Sequence, residues 1–210
     1  MRDVLIKVYS FSELSEKAQQ RAVNNELTSQ WNVTDCLMDE FIHDKKLELF
    51  NLGFFSKKIN SSGEYVIKKA EIFLKENSNK ADIHFNCFNV SDFFDNKKQL
   101  YLLMRYLRKY GYWLTVKDIY FYLADLELCF NIVRNSHIYF DINYNDFSEY
   151  DIKVLETIIK YFDNFLHTFS VNFANEYNNY YCEISNFEFI ANYLQDCEYE
   201  FYSNGELYSE

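Results

Sequence analysis

Proline is absent from this 210-residue chain, and glycine occurs only four times. The first absence excludes collagen-like, polyproline and Pro-rich linker modules, and the second excludes glycine-rich phosphate loops. Long apolar runs are also missing. Stretches such as Leu100 to Leu107 are broken by Arg105 and fall short of the about 18 apolar residues a membrane span needs. Near the start, Val4, Leu5 and Ile6 run straight into Lys7, too short for a secretory segment of about 7–15 apolar residues. The expected location is therefore the cytoplasm. The five cysteines, Cys36, Cys87, Cys129, Cys182 and Cys197, are odd in number and never closer than fifteen positions. Neither a disulfide framework nor a zinc knuckle is indicated, and core packing is the expected role.

What is present suits a globular chain. Hydrophobic residues make up 49%, aromatic residues 20% and charged residues 25%, unlike the apolar-poor balance of a disordered segment. Twenty-one Phe, nineteen Tyr and twenty-two Asn accompany the missing Pro and Gly, a bias that an AT-rich coding sequence produces.

Val4, Ile6 and Val8 alternate with Leu5, Lys7 and Tyr9, which predicts a strand over 3–9. Ser10 stands three residues before Glu13, the capping-box spacing, and predicts a helix from Phe11 to about Leu27. Helices are also expected over 34–50, over 97–110 with Gly111 as its left-handed cap, and over 186–195. Strands are expected over 65–74 and 82–90, followed by a three-stranded meander within 119–144 and a hairpin end around Asn204-Gly205. At 100° per residue, Val154, Leu155, Ile158, Ile159, Phe162, Phe165, Leu166, Phe169 and Phe173 share one face, predicting a long helix over about 148–180. The fold class is α+β: an antiparallel sheet of about five to seven strands with helices packed on it. A single domain over 1–210 is expected, with a subdomain split near 112 as the alternative.

The opening run from Tyr9 to Glu26 carries Glu13, Leu14, Ser15, Ala18 and Ala22 in the pattern ELSxxAxxxA, and the closing run from Cys197 to Leu207 carries Glu198, Tyr199, Phe201 and Gly205. These two ends resemble a family of small bacteriophage and prophage proteins that have an N-terminal strand and helix and a tail preceded by a long helix. The middle departs from that family: Phe88-Asn89-Val90-Ser91-Asp92 stands where relatives often carry a glycine- and glutamine-containing stretch. Families of this kind lack an assigned biochemical activity, so the resemblance implies phage origin more than function.

The net charge of −11 is unevenly spread. Residues 1–50 hold nine acids and six bases, residues 51–110 six and eleven, and residues 111–210 seventeen and four. Lys97, Lys98, Arg105, Arg108 and Lys109 fall on one face of the helix expected at 97–110, either a phosphate-binding face or a solvated one. Asp141, Asp146, Glu149, Asp151, Glu156 and Asp163 cluster around a strand-to-helix junction together with Tyr144. An acidic surface with tyrosines repels nucleic acid and suits a basic protein partner; solubility is the plainer reading. The run Asp141 to Asp146 starts like a calcium loop but has Asp146 at its glycine position and Ile152 at its glutamate position. No cofactor or metal is expected.

A non-enzymatic, phage-encoded inhibitor of a bacterial defence system, of the anti-CRISPR kind, is the function expected from these features. It would bind a basic nucleic-acid-binding host protein in the cytoplasm of the infected cell, with no membrane contact. Two alternatives stand beside it: an enzyme with a cryptic nuclease or nucleotide-modifying site using His84 and His137, and nucleic-acid binding by the basic helix. Formation of a homodimer over an exposed aromatic face is a further expectation.

Overall fold

The computed structural model describes residues 7–30, 32–74, 79–94, 97–115, 127–129, 132–134, 137–139 and 149–208, with only the backbone of residues 97, 99, 127–129, 132–134, 137–139, 150, 151 and 155. The fold is α+β with antiparallel strand pairing throughout these residues. Two compact units emerge. A terminal unit joins residues 1–41 to 176–210, and a central unit spans 42–175. The division falls inside two helices and not near residue 112.

In the terminal unit, β1 (Tyr9–Ser10) leads into a 3₁₀ turn (Phe11–Glu13) and then α1 (Glu16–Leu27). The continuous helix expected from Phe11 is interrupted because Leu14 is extended and Ser15 caps afresh, its Oγ accepting from the Ala18 N–H at 3.4 Å. Thr28 closes α1 by donating its hydroxyl to the Asn24 carbonyl at 2.8 Å. Helix α2 (Val33–Asn51) starts on Asn32, whose Oδ1 accepts from the Asp35 N–H at 2.7 Å. Such side-chain acceptors satisfy amides that a helix start leaves open.

The central unit is built around phenylalanine. A four-stranded sheet has the order β3 (Tyr65–Lys69), β2 (Phe54–Ile59), β6 (Cys87–Asn89), β7 (Glu127–Cys129). It is smaller than the sheet of five to seven strands expected, because β4 (Glu71–Leu74) pairs only with β5 (Ala81–His84), and β8 (Ile132–Arg134) only with β9 (His137–Tyr139), among the described residues. Strand β2 escapes an alternation test because Phe54 and Phe55 are both buried. Helices α3 (Val90–Phe94) and α4 (Lys97–Lys109) follow, and Gly111, at φ +84°, ends α4 as expected. There the Tyr112 N–H reaches the Leu107 carbonyl and the Gly111 N–H the Arg108 carbonyl, both near 3 Å.

Helix α5 (Glu149–Ile184) is the long amphipathic helix anticipated. Its Phe162 sits at ring-centroid distances of 4.5 Å from Phe93 and 4.6 Å from Phe88. Phe54 stacks on Phe88 at 5.6 Å and on Phe165 at 6.0 Å. Edge-to-face and offset contacts of this kind add stability beyond area burial. Much of the phenylalanine excess is thus core. Ser170 anchors β5 to α5: its hydroxyl accepts the Ala81 N–H at 3.0 Å and donates to the Ala81 carbonyl, all buried.

The terminal unit ends with α6 (Phe187–Asp196), capped by Asn186, and β10 (Glu200–Phe201). The expected hairpin end forms through a bridge between Phe201 and Leu207, and β10 also pairs with β1, setting Tyr9 opposite Phe201. No helix among the described residues is long and apolar enough to cross a membrane.

Candidate functional site: a cleft where the two ends meet

The segments that carry the ELSxxAxxxA and tail motifs fold onto one another. Phe11, Leu14, Ala18, Ala22 and Val23 form one core with Ile190, Leu194 and Phe201. Small alanines on α1 let the tail approach closely: Gly205, at φ +85°, lies against the backbone of Ala18. Glu13 accepts from the Ser10 N–H at 2.9 Å and from the Ser10 hydroxyl at 3.0 Å. Those donors, the backbone one foremost, hold its carboxyl below its ordinary range. Arg21 on α1 forms an ion pair with Glu206 of the tail.

Beside this junction lies a cleft of about 310 Å³. Its lining combines the buried apolar groups Ala22, Leu194 and Phe201 with polar or exposed groups that include Asn25, Glu26 and Leu207. Tyr193 and Tyr199 also line it, their rings meeting edge to face at 6.3 Å. The hydrogen bond with Tyr199, then burial, then a hydrogen bond with Cys197 push the Tyr193 phenol well above its ordinary value. Glu26 is fixed in place, its Oε1 accepting the Val33 N–H at 3.0 Å. The arrangement offers an apolar floor and a rim of mixed polar and apolar groups, suited to holding a side chain.

The division into units also sorts the charge. The terminal unit has fifteen acids and four bases, a net −11, whereas the central unit has seventeen of each. The entire net charge of the chain therefore belongs to the unit that contains the cleft.

Of the acidic cluster expected from sequence, Asp141, Tyr144 and Asp146 lie outside the described residues, as does the side chain of Asp151. Glu149 and Glu156 are exposed on α5 and Asp163 is half-buried, all within the neutral central unit. Glu149 accepts from Lys153 Nζ at 2.9 Å, and that bond holds its carboxyl below the usual range. Lys98, Arg105, Arg108 and Lys109 are exposed on α4 while Leu100, Leu103, Met104 and Leu107 are buried; the side chain of Lys97 is not among those described.

His84 meets Phe73 edge to face at 5.1 Å, and His43 Nε2 is 3.1 Å from Lys69 Nζ. The side chain of His137 lies outside the described residues. No group of three His, Cys, Asp or Glu able to hold a metal occurs among the described residues. Cys36, Cys182 and Cys197 are exposed, against the core role expected, and only Cys87 of the described thiols is buried. Register places Cys87 opposite Cys129 in the β6–β7 pair, a neighbourhood their forty-two-residue separation hides.

Comparison with known proteins yields no match: no family model fits the chain, no curated protein matches its sequence and no solved structure matches it.

Proposed function

We propose that this protein is a phage-encoded, non-enzymatic inhibitor that acts in the cytoplasm of an infected bacterium by binding a basic, nucleic-acid-binding component of a defence system. The observation that carries the reading is the charge partition: all of the −11 lies on one compact unit, the other being neutral. A concentrated field of one sign steers a basic partner and repels nucleic acid. The inhibitor would therefore occupy the surface on which its target binds nucleic acid. Phage origin rests on the resemblance of the head and tail motifs, which meet in that same unit. Expression of the chain in a defended host should raise phage plating efficiency, and the purified protein should form a stoichiometric complex with the defence component. Unchanged plating together with no complex would remove the proposal.

A second reading has one observation in its favour. Lys98, Arg105, Arg108 and Lys109 are exposed on a single helix of the neutral unit, where the acidic field is not their own unit's. This face would contact phosphates, and DNA binding that weakens steeply with salt would support it. No binding at low salt would end it.

A further inference from the structure

We infer that the cleft between α1, α6 and the tail is the anchoring pocket of the partner interface, taking one large apolar side chain from a protein segment whose flanking residues are lysine or arginine. The inference rests on the acidic-binding reading and gives it a place. Ala22, Leu194 and Phe201 are each no more than 3% exposed and supply the apolar floor. Leu207 is 52% exposed and Tyr199 36%, so apolar surface continues onto the rim, where a partner would cover it. A volume of about 310 Å³ accommodates an aromatic side chain with part of its backbone, and such buried anchors carry much of the energy of protein interfaces.

Charge decides which apolar anchor is accepted. Glu26 is itself in the lining, and Glu188, Asp196, Glu198 and Glu200 are exposed on the neighbouring helix and tail. From Glu176 to the end of the chain there is no lysine or arginine. An approaching acidic segment or nucleic acid is repelled, and so is the terminal unit of a second copy, which carries the same −11. A basic segment is attracted first and then held by its anchor.

The test uses the full chain and fluorescent peptides. An oligolysine with a central phenylalanine should bind about tenfold more tightly than the same peptide with a central glycine, the gain expected from burying one aromatic side chain. An oligoglutamate carrying the same phenylalanine should not bind. Asn25→Trp, which fills the mouth of the cleft from an exposed helical position, should abolish the preference for phenylalanine and leave the glycine peptide unaffected. Leu207→Ser should reduce the preference in the same direction. Equal binding of the two lysine peptides to the unmodified chain would overturn the anchor while leaving the acidic-surface reading intact; failure of both lysine peptides to bind would overturn the reading itself. A dimer in light scattering that Leu207→Asp dissociates would place a second copy in the cleft and overturn the proposed occupant.

Discussion

A Cβ on Gly205 would fall on the carbonyl oxygen of Ala18, so the tail seats against α1 only because this position has no side chain. Its φ of +85° adds a second reason, since L residues bearing a side chain resist that region. Gly205→Ala should therefore destabilise the terminal unit by about 3 kcal/mol. Gly111→Ala has the same backbone problem at φ +84° but nothing within 4 Å of the new methyl group, and should cost only about 1 kcal/mol. Urea unfolding of both variants checks the difference, and equal losses would mean that the contact with Ala18 is not tight.

Ser170→Ala tests the central unit. The hydroxyl serves both the N–H and the carbonyl of Ala81, and both residues are buried. Its removal leaves two buried backbone groups unpaired at a cost of about 2–4 kcal/mol. Ser170→Cys, nearly isosteric but a weak hydrogen-bonding group, should recover little of that loss in thermal unfolding.

Alkaline pH should weaken the tail through Tyr193. Its proton is held by the hydrogen bond with Tyr199, by burial and by Cys197, so the folded value lies above the unfolded one. The contribution to stability is complete below about pH 10, the unfolded value, and is lost as pH rises from there through the folded value. Tyr193→Phe should show a smaller loss of urea midpoint between neutral pH and pH above 10 than the unmodified chain; identical losses would contradict this assignment.

The elements that the sequence displays well are those with one dominant local cause. The stripe from Val154 to Phe173 yields α5 to within four residues at its C-terminal end, and Gly111 ends α4 where its conformation demands. Ser10 and Glu13 do interact as spaced, yet Ser15 takes over the capping of α1, a competition between two nearby serines that spacing alone leaves open. Strand β2 was hidden because covering both faces of Phe54 and Phe55 erases alternation. The cleft is hidden for a different reason: its walls come from residues 22–29 and 193–207, far apart in sequence, and it takes the shared core of α1 and α6, the β1–β10 pairing and the Ala18–Gly205 contact to bring them together. Charge counted along the chain puts the acidic centre in residues 111–210, whereas counting by compact unit assigns Glu149 and Glu156 to a unit of zero net charge and gives the whole excess to the joined ends.

Titration of a fluorescent oligolysine against the full chain tests the central claim, using two charge-reversed variants matched in net charge. One carries Glu188→Lys, Asp196→Lys and Glu200→Lys in the terminal unit, and the other Glu71→Lys, Glu149→Lys and Glu156→Lys in the central unit. The acidic terminal unit predicts that the first variant binds more than about tenfold more weakly than the unmodified chain and the second within about twofold. Equal weakening, or a larger loss from the central set, would contradict it.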